Sequence, residues 1–161
     1  MQQQGNWREI VASSLGWEQG HATLENAVKD LPANLRGKIP PNYPHSIWQL
    51  LEHIRITQHD LLEFCQNPEY VEKLEWPQDY WPPTIIPSDG GAWNKTLADC
   101  RSDRESLAKF VNETKLDLTA KIPRGTVQTY LRTVLLAVDH ASYHVGQIVS
   151  VRRLLGAWPA K

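Results

Sequence analysis

The sequence predicts an all-α protein: a four-helix bundle with a long Pro/Trp-rich loop between the second and third helices. Three observations carry this. Four stretches repeat apolar residues at steps of three and four and are separated at prolines and glycines. No alternating pattern with a tight-turn pair marks a β-hairpin. With 161 residues, 41% hydrophobic and 22% charged, the chain suits one soluble domain able to bury its own core. Residues 1–161 are therefore read as a single domain.

The first helix is expected over residues 7–30, stopping before Pro32, with Ile10, Ser14, Trp17, His21, Leu24, Val28 and Leu31 as its inward stripe. The second opens near Pro44, a favoured first-turn residue, and ends before Pro68. Its core face is Ile47, Leu50, Leu51, Ile54, Leu61 and Leu62. The third follows Ser88, an N-cap candidate, and reaches about Glu113, turning Trp93, Leu97, Cys100, Leu107, Phe110 and Val111 inward. The fourth is expected over residues 126–155, about 45 Å long, with Gly156 as the residue after its C-cap. It carries two apolar stripes, one through Leu131, Leu135, Val138, Val145 and Val149, the other through Val134, Ala137, His140, His144, Val151 and Leu154. Such a helix should be wrapped by neighbours. Between the second and third helices, residues 67–87 hold Trp76, Pro77, Tyr80, Trp81, Pro82, Pro83 and Pro87. A loop of this length in a compact bundle usually serves function, and these aromatics can cap a pocket.

Several function classes fall away. A formal net charge of −1 leaves no phosphate-binding footprint, which argues against nucleic acid. No run of about 18 apolar residues suits a membrane span, and MQQQGNWREI lacks the marks of a secretory signal. A cytoplasmic protein is the expectation. Cys65 and Cys100 form no C-x-x-C pair, so neither a disulfide framework nor a thiol-rich zinc site is indicated.

The histidines carry the chemical signal. His140 and His144 stand four apart on the fourth helix, their Cβ atoms about 5–6 Å from each other, so both can reach one ion. Left without partners in the interior, each ring would cost roughly 1–3 kcal/mol. His53, mid-way along the second helix beside Leu50 and Ile54, is the third ligand candidate. His59 lies in a polar stretch almost two turns further on, and His45 in the first turn, where capping or exposure is expected. His21 sits in an E-x-x-H step with Glu18, but no second such step exists, which disfavours a di-iron carboxylate centre; His21 is read as core first, with a pocket residue or an outer partner of the site as the alternatives. Ala141 follows His140, so H-E-x-x-H is absent and no helix-borne glutamate activates water. Glu52 and Asp139 precede His53 and His140 and point about 100° away, towards the helix surface. Cys65, about 18 Å along the helix from His53, is excluded, and Cys100 is read as a small buried residue.

At these residues the chain resembles the DinB-like (YfiT-like) superfamily of metal-binding four-helix bundles. The resemblance covers nearly the whole chain. It is carried by SIWQLLEHIRITQHDLLEF, the DYWPP segment, AWNKTLADCRSDRESLAKFV and, most specifically, LLAVDHASYHVGQIVSVRRLLG with its H-x-x-x-H-x-G-Q ending. It implies that His53, His140 and His144 bind a divalent metal, most often zinc or nickel, in a left-handed bundle that commonly forms a homodimer. It also implies an activity class, since characterised relatives include transferases and an isomerase that use a low-molecular-weight thiol. The expectation is a metal-dependent enzyme of the thiol S-transferase type, acting on a small electrophile, with Trp76, Tyr80 and Trp81 in the pocket wall. The rival expectation is a metal-binding stress-response or interaction module without catalysis.

Overall fold

A computed structural model describes residues 7–159, which form five α-helices and, among the described residues, no strand. The helix that organises the others is α3, Ile47–Gln66. Its N-cap is Ser46, whose Oγ accepts from Gln49 N while Gln49 Oε1 accepts from Ser46 N, a complete capping box. The start therefore lies later than Pro44, because the S-x-x-Q pair satisfies two orphan donors that a proline start leaves open. α4, Gly90–Val111, begins one residue after the Ser88 expectation, with Asp89 accepting from Ala92 N. α5, Tyr130–Leu154, starts later than residue 126, because Thr129 caps it and the preceding chain is extended. There Ile122 N donates to Gln128 O (2.9 Å), and Lys121 faces Thr129 in one isolated antiparallel bridge. α5 ends in a Schellman motif at Gly156 (φ 67°), with Ala157 N on Arg152 O (2.8 Å) and Gly156 N on Arg153 O (3.0 Å).

The expected first helix is two helices, α1 at Trp7–Ser14 and α2 at Leu24–Val28. Gly16 and Gly20 weaken helix between them, and Thr23 restarts it by accepting from Asn26 N. The inward stripe holds only from Leu24 onward, through Val28 and Leu31. Ile10 and Trp17 are half exposed and His21 is at the surface, so His21 is not a core residue.

α3 packs against both α4 and α5, with α1 on α4 and α2 on α5. Apolar burial falls in two clusters. One gathers Ile47, Leu50, Leu51 and Ile54 with Trp93, Val145, Ile148 and Val151; the other gathers Leu62 and Cys65 with Leu107, Val111, Val134 and Ala137. Early α3 thus meets late α5, so the two run antiparallel, while α4 runs with α3. Around the junction of the clusters lie buried polar residues, among them His53, Thr57, Gln58 and His144. Gln58 Nε2 there donates to Cys100 O (2.7 Å). The wrapping of α5 is incomplete: Leu135, Leu136, Tyr143 and Leu154 are exposed.

Helix ends are closed by arginines donating to carbonyls that lack intrahelical partners. Arg8 serves the end of α4 through Val111 O (2.8 Å) and reaches Leu116 O beyond it. Arg124 serves the last turn of α3 through Phe64 O (3.0 Å). The buried Arg152 joins α2 (Ala27 O, 2.9 Å) to the turn after α5 (Ala157 O, 2.8 Å).

The chain between α3 and α4 has one 3-10 turn, Gln78–Tyr80, and lies along α3. Ser46 Oγ donates to Ile85 O (2.7 Å) and Trp48 Nε1 to Thr84 Oγ1 (3.2 Å). Gly37 is needed under it, since a Cβ there would fall 1.9 Å from Ile86 Cγ2.

Candidate metal centre

His53, His140 and His144 converge between α3 and α5. His53 and His144 are buried (2% and 7% exposed), and His140 is partly so. One helical turn on α5 separates His140 from His144, and His53 faces the gap between them. The ring centroids lie 4.7 Å (His53–His140), 4.5 Å (His53–His144) and 4.4 Å (His140–His144) apart. One nitrogen from each ring falls within 4.8 Å of the other two, and among the described residues no carboxylate or thiol joins the group.

The remaining ring nitrogens say which atoms face inward. His53 Nδ1 donates to Tyr80 O at 2.6 Å; a carbonyl only accepts, so Nδ1 carries the proton and Nε2 is bare. His140 Nε2 lies 3.0 Å from that bare nitrogen. His144 Nδ1 bonds Gln147 Oε1 at 2.7 Å, which likewise frees its Nε2. Such outer partners fix ring orientation and tautomer, as ligating imidazoles require.

All three rings are held neutral. Burial, reinforced by the neighbouring His144 and His53, pushes His140 down to about 3. Burial pushes His144 down to about 4, although the Gln147 bond works against it. His53 is also lowered by burial, with the Tyr80 bond opposing. Neutral imidazoles are the form that donates a lone pair to a metal.

The loop supplies the other side of the site. Trp81 stacks on His53 with centroids 3.9 Å apart and planes 2° off parallel. His45 stacks on the opposite face of Trp81, also at 3.9 Å, and its buried Nδ1 has no hydrogen-bond partner. His45 is thus neither a helix cap nor a ligand, but the outer layer of a three-ring stack. Trp76 stands 69% exposed and meets only the edge of Tyr80, so of the expected aromatic wall Trp81 alone lays its ring on a histidine, Tyr80 reaching His53 through its main-chain carbonyl.

The remaining candidates lie elsewhere. His59 is exposed and pairs with Asp103 (3.1 Å) across to α4, and His21 Nδ1 bonds Ala22 O at the surface. Glu52 is not a surface group. It is buried between α3 and α4, accepts from Thr96 Oγ1 (2.5 Å) and pairs with Arg55 (2.9 Å). Asp139 is exposed. Both cysteines are free and buried, and burial pushes each thiol up to about 12, far from a metal-binding thiolate. Three contributions to the site escaped the sequence reading. Tyr80 acts through its main chain and leaves no signal; Gln147 could have been found three residues after His144 on the same helix face; His45 needed the path of the loop.

Residues 16–148 match the family model of the DinB superfamily. The chain belongs to that superfamily. Neither a curated protein nor a solved structure matches it. A DinB superfamily site with this donor set can hold a metal ion. Tetrahedral coordination at Zn–N of about 2.0–2.1 Å places donor nitrogens about 3.3 Å apart, and the observed separations, 3.0 Å between His53 and His140 and none above 4.8 Å, lie within about 1.5 Å of that spacing. Three imidazoles suit several divalent ions and select none by themselves. No helix among the described residues is long and apolar enough to cross a membrane.

Proposed function

We propose that the protein binds one divalent metal ion, zinc or nickel, through Nε2 of His53, His140 and His144, and acts as a metal-dependent enzyme of the thiol S-transferase type. The observation that carries the metal reading is the convergence of three neutral rings from α3 and α5. His53 would be oriented by Tyr80 O, His144 by Gln147, and Trp81 would shield His53 from water. An ion so held would leave a position for a fourth donor and would lower the pKa of a water or thiol bound there. That chemistry suits a site whose group of donors includes no carboxylate base. The partners proposed are a low-molecular-weight thiol and a small electrophile.

The test is metal content of the purified protein, followed by conjugation of monochlorobimane with glutathione, bacillithiol or mycothiol. Stoichiometric metal and metal-dependent conjugation that His144→Ala abolishes are expected. Full conjugating activity in that variant would eliminate the scheme.

A second reading is a metal-binding module without catalysis. It is favoured by the burial of His53 and His144, which restricts substrate access. On this reading a chelator lowers the melting temperature while no thiol or hydrolytic assay responds. Homodimer formation and a cytoplasmic location are proposed alongside. Leu136, Tyr143 and Leu154 share one exposed face of α5 and suit a second copy; light scattering tests this.

A further inference from the structure

Asp60 lies seven residues after His53 on α3, two turns or about 10.5 Å along the axis on nearly the same face. Its carboxylate accepts two phenol hydroxyls, Tyr70 OH on Oδ1 (2.8 Å) and Tyr80 OH on Oδ2 (2.7 Å). Tyr80 is buried and spans the distance back. Its side chain ends at Asp60 and its main-chain carbonyl at His53 Nδ1. Trp81, the next residue, is the ring stacked on His53. Both outer contacts of His53 therefore come from two consecutive residues, and a partly buried phenol–carboxylate bond holds the first of them.

We infer that Asp60 is a positioning residue for the metal centre, acting through Tyr80 as a strut that sets the tautomer and direction of His53. A carbonyl belonging to a loop can rotate away, leaving the imidazole free to turn or to move its proton to Nε2, the nitrogen the site needs bare. The Asp60–Tyr80 bond removes that freedom at the far end of the same residue. The arrangement lengthens the usual carboxylate–histidine pairing by one residue, with a peptide carbonyl next to the ring and the carboxylate behind it. Tyr70 supplies an internal control. It gives the same carboxylate an equivalent bond, yet neither its main chain nor its neighbours contact the histidine rings through a hydrogen bond or stacking.

This inference rests on the metal reading and deepens it. The experiment loads the full-length, chelator-treated protein with Co²⁺, measuring affinity by competition with a chromogenic chelator and the site by its visible ligand-field bands. Circular dichroism of each variant checks the fold. Tyr80→Phe and Asp60→Asn are expected to weaken Co²⁺ roughly tenfold, the lower end of what outer-partner losses cost, and to alter the bands. Tyr70→Phe is expected to stay within about twofold of the parent with an unchanged spectrum. Parent-like affinity and spectrum in both Tyr80→Phe and Asp60→Asn would overturn the inference while leaving the metal reading intact. Equal weakening in Tyr70→Phe would overturn it too, since the carboxylate would then only hold the loop. A parent protein that takes up no Co²⁺ would remove both.

Discussion

The two sides of His53 are built differently. Towards α5 it meets His140 and His144, set one turn apart on a regular helix; towards the loop it meets Tyr80 O and Trp81, set by an irregular chain. The helical side supplies donors, and the loop side supplies orientation. Periodicity is enough for the first, because a turn of helix fixes where a side chain points. The second needs contacts that no period describes.

The largest effect should come from breaking the helical side. His144→Ala removes a donor outright and is expected to lower metal affinity by more than the roughly 10–100-fold that outer partners cost, as read by chelator competition. Trp81→Ala removes the middle ring of the stack on the loop side. Losing a partly buried indole with two parallel contacts should cost about 2 kcal/mol, below the roughly 3–5 kcal/mol of a core tryptophan; urea unfolding of the chelated protein measures it. A parent-like midpoint would mean that the loop rests on the site without stabilising it. Gln147→Ala separates orientation from donation within the helical side. About tenfold weaker metal binding with unchanged apo stability is expected, and a full loss would make Gln147 a ligand in its own right.

The smallest effect concerns acid. An unfolded chain takes up protons on its histidines below about 6.5, whereas folded His140 and His144 resist protonation until about 3 and about 4. Their contribution is complete above pH 6.5 and is lost as pH falls from there towards about 4 for His144 and about 3 for His140. Asp103, whose carboxyl burial raises, works the other way at the acid end. The melting temperature of chelator-treated protein should therefore drop by a few degrees between pH 7 and pH 5. A flat profile would mean that the rings are hydrated rather than buried.

What could be read from sequence follows the same division. α3, α4 and α5 were legible because Leu50–Ile54, Leu107–Val111 and Val134–Ala137 recur at helical steps and are buried. The same period misled at residues 7–30, where Ile10, Trp17 and His21 keep the spacing across a break that Gly16, Gly20 and the Thr23 cap create. It misled again on α5, whose second stripe ends in the exposed Leu154. At the centre the three histidines were legible and their outer partners were not. Tyr80 contributes an atom every residue possesses, and Glu52, set beside His53 in sequence, belongs to the seam with α4 instead.

Gly37 sits well away in sequence from any histidine of the centre, yet it admits Ile86 so closely that one added carbon would overlap it. The strand of chain carrying Tyr80 and Trp81 is moored at that point, five residues downstream of the ring that shields His53. Adding a methyl group there would push on the mooring rather than on the histidines, and the disturbance would be felt as a slackened grip on any cation the three rings hold. Sequence change far from the donors can thus tune how firmly they hold, with every donor left in place.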